Sequence, residues 1–298
     1  MDYTVQAPED GKKLRVILRG SMGVSYTALK SAKWNGRIRL NGQPAHTDMA
    51  VRAGDLVSID WAENVPVYSL RPYPREIPVP YEDGDLLVAE KPAGLATQSS
   101  RNHPDDSLEN ALYTREGCPE NYIFRPVNRL DKGTGGLMVV ARNAHSQHLL
   151  QKQLHSPDFR RRYLAMADGC PAQPEGTIDV PIAKAPGATV KRQADPAGKP
   201  SVTRYRVLEK REGESLLLLE LETGRTHQIR VHLSWLGCPV HGDFLYGAED
   251  PEGFPGCFAL HSAALILKHP LTGETLRLAS LPAWAEGTDP SVLLMDFH

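Results

Sequence analysis

The sequence contains few cysteines, and none of them lies close to another. The chain has 298 residues and no C-x-x-C pair; its cysteines are Cys118, Cys170, Cys238 and Cys257. Zinc sites and thiol redox motifs are built from such close pairs, and small disulfide-stabilised domains are much richer in cysteine. We therefore expect reduced thiols and a cytoplasmic protein.

The sequence also lacks membrane-directing segments and the common metal-binding motif. No apolar run approaches the ~20 residues of a transmembrane helix. The first residues, Met-Asp-Tyr-Thr-Val, lack the basic and then apolar pattern of a signal peptide. No pair of histidines has the spacing of H-E-x-x-H. We expect no membrane partner and no metal.

A large excess of charge of either sign is missing as well. The formal net charge is −2, which by itself argues against a nucleic-acid partner. Positive charge is nevertheless concentrated locally, because residues 1–62 hold nine Lys/Arg against six Asp/Glu, a net of +3, and basic clusters occur at 160–162 and 191–192. A protein can bind RNA through such a stripe while its remaining surface is neutral.

Proline is concentrated in one short segment that divides the chain. Five prolines lie among residues 63–80, which is typical of an extended, semi-rigid linker. We predict a small domain at 1–62, a linker at 63–76 and a larger domain at 77–298, a division that the chain length allows.

The first segment has the pattern of a small α+β domain. Residues 36–42 alternate basic and apolar side chains and end in Asn-Gly, which predicts a strand and a hairpin turn. With Leu40-Asn41-Gly42 and Gly54-Asp55, the segment resembles the RNA-binding domain of ribosomal protein S-four. The arginines expected in the second helix are few, so a generic α+β extension without an RNA contact remains the alternative.

One carboxylate lies between basic residues just before a predicted buried strand. Asp131 has Arg129 and Lys132 beside it, three glycines follow, and the apolar run 137–141 has the length of a buried strand. Phosphate-binding loops open a helix and have the spacing G-x-G-x-x-G, and this loop does neither. The pattern therefore places Asp131 on a tight loop entering a rigid strand, a common way to hold a reactive group.

Three stretches together resemble the motifs of one enzyme family. Residues 129–137 read Arg-Leu-Asp-x-x-Thr-x-Gly-Leu, residues 161–165 read Arg-Arg-Tyr-Leu-Ala, and residues 224–232 read Gly-Arg-Thr-His-Gln-x-Arg-x-His. In this order they are similar to the motifs of the RluA-type pseudouridine synthases. The resemblance extends less sharply over residues 77–284. It implies an α+β fold with a mixed, largely antiparallel sheet.

The resemblance also implies a reaction and three catalytic residues. It implies an isomerase that forms pseudouridine in RNA without a cofactor, with Asp131 as the nucleophile. Arg225 matches the family's cation for that carboxylate, which a guanidinium can bind in a fork. Tyr163 matches the residue that stacks on the target base. Attack on the sugar and deprotonation of the sugar both stay open as routes for Asp131.

Three further arginines are candidates for RNA binding. Arg129 matches the family residue that can occupy the space left by the flipped base. Arg161 and Arg230 are weaker candidates for phosphate contacts. The helix expected at 226–236, with Thr226 as its N-cap, would carry Arg230.

Two departures from the family pattern bear on function. Asn128 stands where the family usually has His, and Gly135 stands where it usually has Ser. We expect a monomer that acts on ribosomal RNA, with transfer RNA as the alternative substrate. The departures keep open a catalytically silent RNA-binding protein on the same fold. A glycosidase would need two carboxylates around the scissile bond, and this loop supplies one.

Overall fold

The computed structural model describes residues 1–24, 26–34, 36–60, 70–154 and 156–297. Residues 61–69, which include the first part of the predicted linker, lie outside these ranges, so the division into domains stays a prediction. Within the described ranges, no helix has the length and apolar character needed to cross a membrane.

The N-terminal residues form a small sheet with a core of its own. Its elements are β1 (Asp2–Thr4), α1 (Leu14–Arg19), α2 (Tyr26–Trp34), β2 (Ile38–Leu40), β3 (Gln43–Pro44) and β4 (Leu56–Ile59). The four strands are antiparallel in the order β1-β4-β2-β3. Leu14 and Ile17 of α1 pack with Val57 and Ile59 of β4 in one buried cluster.

The predicted Asn-Gly hairpin turn between β2 and β3 is confirmed. Asn41 and Gly42 have φ of 53° and 80°, as a two-residue turn with two left-handed residues requires. The Asn41 side chain accepts a hydrogen bond from the Leu56 N–H at 2.8 Å and donates one to Asp55 at 2.8 Å. The two segments that carry the resemblance to the S-four domain therefore lie side by side.

The remaining strands belong mainly to one large sheet. They are β5 (Tyr81–Glu82), β6 (Leu86–Lys91), β7 (Gly135–Ala141), β8 (Phe159–Asp168), β9 (Glu175–Asp179), β10 (Ile182–Lys184), β11 (Arg192–Ala194), β12 (Val202–Arg211), β13 (Glu214–Leu221), β14 (Leu260–Lys268) and β15 (Thr275–Ala279). The large sheet has the order β5-β6-β7-β14-β8-β13-β12-β9, with β15 also paired to β14, while β10 and β11 form a separate pair.

The large sheet is mixed, as predicted. Among its described strand pairs, β7 and β14 run parallel and all others run antiparallel. The parallel pairing is short and joins the starts of the two strands, with His261 opposite Gly135. The predicted α+β class with a largely antiparallel sheet is confirmed, and the predicted strand at 137–141 is part of β7.

Helices pack on both faces of this sheet. They are α3 (Leu108–Arg115), α4 (Ala144–Gln153) and α5 (Gln228–Trp235). Alternate residues of β7 point to opposite faces, so Met138 and Val140 share a cluster with α3 and α5, while Val139 packs in the cluster that contains Leu150 of α4. Each such buried side chain contributes about 1.5–3 kcal/mol, which makes β7 a rigid support for the loop before it.

Candidate active site

Asp131 lies on the tight turn that enters β7. The Thr134 N–H donates to the Asp131 carbonyl at 3.1 Å. Gly136 has φ of 102°, and a Cβ there would lie 2.4 Å from the Ser262 carbonyl oxygen on β14. A glycine is therefore required where the loop meets β14, which explains the glycines that follow Asp131. The Asp131 side chain is about a quarter exposed, at 27%.

Two buried side chains hold the loop on either side of Asp131. Lys91 is 1% exposed, and its ammonium donates to the carbonyls of Pro92, Leu95 and Lys132 at 3.0, 2.7 and 3.2 Å. The Thr97 hydroxyl donates to the Leu130 carbonyl at 2.8 Å. Burial lowers the pKa of Lys91 to about 7, although the charge of Asp131 acts in the opposite direction.

The cation beside Asp131 is Arg230. Its Nη1 donates to Oδ2 of Asp131 at 3.2 Å, and its Nε and Nη2 donate to the two carboxylate oxygens of Asp243 at 2.7 and 2.8 Å. Arg230 is 3% exposed and Asp243 is fully buried. Burial disfavours the charged guanidinium, but the hydrogen bonds and charge of Asp243, together with Asp131, raise the pKa of Arg230.

Three aromatic rings surround the Arg230 guanidinium. Its central carbon lies 4.2 Å from the ring centroid of Phe258, 5.0 Å from that of Tyr246 and 5.8 Å from that of Phe244. Cation–π contacts of desolvated groups are worth up to about 2 kcal/mol each. The rings and Asp243 therefore fix the direction in which Arg230 meets Asp131.

Arg225 is not the partner of Asp131, in contrast to the pairing expected from the sequence. Its Nε donates to the Pro200 carbonyl at 3.1 Å, and the residue is exposed. The reason is where the helix starts: α5 begins at Gln228, and Gln228 accepts a hydrogen bond from the Arg225 N–H at 2.9 Å. Arg225 therefore precedes the helix, whereas Arg230 lies on its first turn.

The expected N-cap at Thr226 was wrong by one residue. His227 takes that position with φ of 59°, and it makes no side-chain cap. Its Nδ1 lies 2.8 Å from the Tyr246 hydroxyl, and its Nε2 lies 3.9 Å from Oδ2 of Asp131. Burial lowers the pKa of His227, opposed by the charge of Asp131. A histidine in left-handed conformation is strained, which sequence reasoning did not foresee.

All six site residues expected from the sequence line one cavity of about 840 Å³. They are Arg129, Asp131, Arg161, Tyr163, Arg225 and Arg230. Tyr163 lies on β8 and is 5% exposed, and burial raises the pKa of its hydroxyl. Arg129 is exposed, and Arg161 is buried. A cavity with four arginines, one tyrosine and one carboxylate can bind a negatively charged polymer and accept one of its bases.

The cavity lies in the part of the chain that matches a known family. A family model described as RNA pseudouridylate synthase matches residues 85–235, just over half of the chain. The chain belongs to the RNA pseudouridylate synthase family. It is thus an RNA pseudouridine synthase, an isomerase, as the resemblance of its motifs had indicated.

Several similar proteins align with most of the length of this pseudouridine synthase. A Bacillus subtilis protein named uncharacterized RNA pseudouridine synthase YjbO is 36% identical over 88% of this chain and 93% of its own length. Ribosomal large subunit pseudouridine synthase D of Xanthomonas campestris is 36% identical over 86% of this chain and 81% of its own. The solved structure of human RNA Pseudouridylate Synthase Domain Containing 1 has a TM-score of 0.58 and 27% identity, over 71% of this chain and 86% of that one.

The two departures from the family pattern lie in the support of the loop. The Asn128 side-chain oxygen accepts the Val139 N–H at 3.0 Å, which ties the segment before Asp131 to β7. A Cβ on Gly135 would lie 3.2 Å from Nδ1 of His261 and 3.3 Å from the Ala93 nitrogen. A serine at this position would therefore crowd the buried His261 of this synthase. Neither departure removes Asp131, Arg230 or Tyr163 from the cavity.

Among the residues that the structure describes, two groups of side chains have the spacing of metal ligands, and neither group is part of the cavity lining. They are Asp83, Asp85 and His269, and Asp168, Glu214 and His241. In the first group His269 already bonds Asp83 at 2.9 Å, and in the second His241 bonds Asp168 at 2.7 Å. These contacts explain the groups as hydrogen-bonded pairs between surface segments.

Proposed function

We propose that this synthase converts uridines of ribosomal RNA to pseudouridine, with Asp131 as its nucleophile. The observation that supports it is one cavity in which Asp131, bound by Arg230, shares the wall with Tyr163. Relatives named for the large ribosomal subunit support ribosomal RNA as the substrate. Transfer RNA remains the alternative, and we expect a cytoplasmic monomer.

The reaction detaches uracil from its ribose, turns it over and rejoins it through a ring carbon. It needs a nucleophile, a dry pocket for the loose base and a way to reach a stacked nucleotide. Asp131 supplies the nucleophile, either by attacking the anomeric carbon or by removing a sugar proton. Arg230 fixes the direction of this carboxylate through its hydrogen bond to Oδ2, and Asp243 keeps Arg230 in place.

Tyr163 contacts the flipped base, and Arg129 contacts the RNA strand from which the base has left. The ring of Tyr163 offers a face on which uracil can stack, worth about 1–3 kcal/mol. Because burial keeps its hydroxyl protonated, it can donate a proton during rearrangement. Arg129 is exposed at the cavity beside Asp131 and can fill the gap in the RNA after the base leaves, at a flipping cost of a few kcal/mol.

The test is conversion of ribosomal RNA by the purified chain without added cofactor. Asp131→Asn keeps the size of the side chain but removes the nucleophile, so conversion should fall roughly 10⁴-fold or more. Asp105→Asn is the matched control, because Asp105 forms an exposed ion pair with Arg71. This variant should convert RNA at the wild-type rate. Pseudouridine is quantified by chemical labelling and primer extension, with transfer RNA assayed in parallel.

The outcomes separate the two functions that the sequence left open. An active Asp131→Asn variant would contradict the role of Asp131. Tight binding of ribosomal RNA by the wild-type chain, with no conversion of either RNA, would identify a silent RNA-binding protein. Conversion of transfer RNA alone would replace the substrate in the proposal.

A further inference from the structure

Arg161 differs from both of its neighbours in having no carboxylate partner. Arg160 pairs with Asp296 at 2.7 Å, and Arg162 pairs with Glu220 at 2.6 Å. Among the described residues, Arg161 makes one long hydrogen bond, from Nη2 to the Thr223 carbonyl at 3.5 Å, and its buried Nε has no partner. The guanidinium of Arg161 therefore has unused hydrogen-bond donors inside the protein.

Arg161 belongs to the wall of the active-site cavity. It is 5% exposed and lines the cavity together with Asp131 and Tyr163. Arg161 and Tyr163 are two residues apart on β8, so their side chains leave the same face of the strand, about 7 Å apart. The unpaired guanidinium thus lies beside the ring on which we propose that the base stacks. At that distance it can meet a sugar or phosphate group next to the base.

Gly224 leaves the room that this guanidinium occupies. A Cβ on Gly224 would lie 2.9 Å from Nη1 and 3.5 Å from Nη2 of Arg161. The backbone of Gly224 is not left-handed, so its conformation does not require a glycine. The close approach of Arg161 instead explains why residue 224 has no side chain. Two separated motifs of the chain therefore meet at this guanidinium.

The other buried arginine of the cavity cannot serve a ligand in this way. Arg230 uses Nε, Nη1 and Nη2 on the carboxylates of Asp131 and Asp243. A buried charge without a counter-ion and with unmet donors is unfavourable, and an anionic ligand removes both penalties. The two terminal nitrogens, Nη1 and Nη2, can form a fork with two oxygens of a phosphate, and a full negative charge meets a buried cation better than a uracil carbonyl does.

We propose that Arg161 binds a backbone phosphate next to the target uridine and anchors the flipped nucleotide. This assignment rests on the proposed function of the cavity and adds to it the group that holds the RNA backbone inside. It makes Arg161 a binding residue, so its loss should act on RNA affinity and KM and leave kcat near the wild-type value.

The first experiment measures the dissociation constant of a ribosomal RNA transcript over a range of salt concentrations. Arg161→Met should raise Kd and KM about tenfold and reduce the slope of log K against log salt by about one, as for one lost phosphate contact. Arg161→Lys keeps the charge but loses the two-pronged hydrogen bonding of a guanidinium. It should therefore keep most of the salt dependence of binding. Arg160→Met is the matched control, because Arg160 is paired with Asp296.

Gly224→Ala tests the same contact without changing any charge. The added methyl group should displace the Arg161 guanidinium and raise Kd in the same direction as Arg161→Met. Gly84→Ala is its control, since a Cβ at Gly84 meets nothing within 4 Å. Should Arg161→Met fail to fold, as judged by circular dichroism, Gly224→Ala and Arg161→Lys still decide the question.

A synthetic RNA with a methylphosphonate beside the converted uridine locates the phosphate. Removing that single charge should weaken binding to the wild-type chain and have no added effect on Arg161→Met. A fall in kcat with unchanged KM and salt slope would overturn the phosphate assignment in favour of a contact to the base. Unchanged kinetics would overturn any role of Arg161. If the wild-type chain converts no RNA, the proposed function fails, and the salt slope still reports on Arg161.

Discussion

The position of the Asp131 carboxylate depends on an arginine in the first turn of α5. Arg230 joins Asp131 to Asp243 and is enclosed by aromatic rings. Arg225, five residues earlier, bonds a loop carbonyl and is exposed. Because Arg230 contacts the carboxylate and Arg225 does not, the two arginines should have different roles, and substitution can separate them.

Arg230→Gln should lower kcat roughly 10²–10³-fold, because the carboxylate loses the charge that orients it. Arg225→Gln should leave kcat near the wild-type value and weaken RNA binding. The measurement is single-turnover conversion at saturating enzyme. Arg230→Gln also leaves Asp243 buried and unpaired, at about 3–5 kcal/mol, so folding is checked by thermal denaturation. Arg230→Lys keeps the charge, and its kcat should lie between those of the wild type and Arg230→Gln. A larger loss of kcat in Arg225→Gln than in Arg230→Gln would mean that Arg225, not Arg230, orients the carboxylate.

At the scale of elements, the loop that carries Asp131 is held by the end of β6 and by the segment that follows it. Lys91 bonds the Lys132 carbonyl and Thr97 bonds the Leu130 carbonyl, so the residues on both sides of Asp131 are anchored. These contacts join positions more than thirty residues apart, and the partners are backbone oxygens. We infer that this segment sets the position of Asp131.

Thr97→Val should lower kcat roughly tenfold, since small misplacements of a reacting group are costly, while KM changes little. The stability loss should stay near 1 kcal/mol, the net value of one hydrogen bond. Thr97→Ser keeps the hydroxyl and should restore kcat. A Thr97→Val variant that loses stability but keeps kcat would show that the hydrogen bond serves folding alone. Urea denaturation and single-turnover kinetics give the two readouts.

The elements also show where sequence reasoning was sufficient. The apolar run of β7 and the Asn-Gly turn at Asn41 are local signals, and both elements were predicted. The motifs brought all six expected site residues to one cavity. The pairing of Arg230 could not be predicted, because it depends on a helix that starts after His227 in a strained conformation. The anchoring by Thr97 has no sequence signal, since any residue offers a carbonyl.

At the scale of the whole molecule, the N-terminal sheet is the part whose role in RNA binding stays a prediction. Its strands and turn match the pattern expected of the S-four type, and Lys30 and Lys33 are exposed on α2. If these residues meet RNA, they contribute charge outside the cavity lining. Their effect should then appear in affinity and not in the rate of the bound complex.

The double variant Lys30→Ala with Lys33→Ala should raise Kd several-fold and reduce the salt slope by up to about two. Single-turnover kcat at saturation should not change, because the cavity is intact. Lys210→Ala with Lys268→Ala is the control, as both side chains are exposed and lie outside the cavity lining. Equal Kd values for the two double variants would favour the generic α+β extension. Filter binding at several salt concentrations measures both quantities.

The place of β14 in the large sheet has a consequence for biosynthesis. This strand lies between β7 and β8, although the ribosome makes it long after both of them. Until Leu260–Lys268 leaves the exit tunnel, β7 and β8 each present an unpaired edge, a state prone to aggregation. Leu260 lines the cavity and Phe258 lies against Arg230. We therefore expect the lining of the cavity to be complete only after this late strand is inserted.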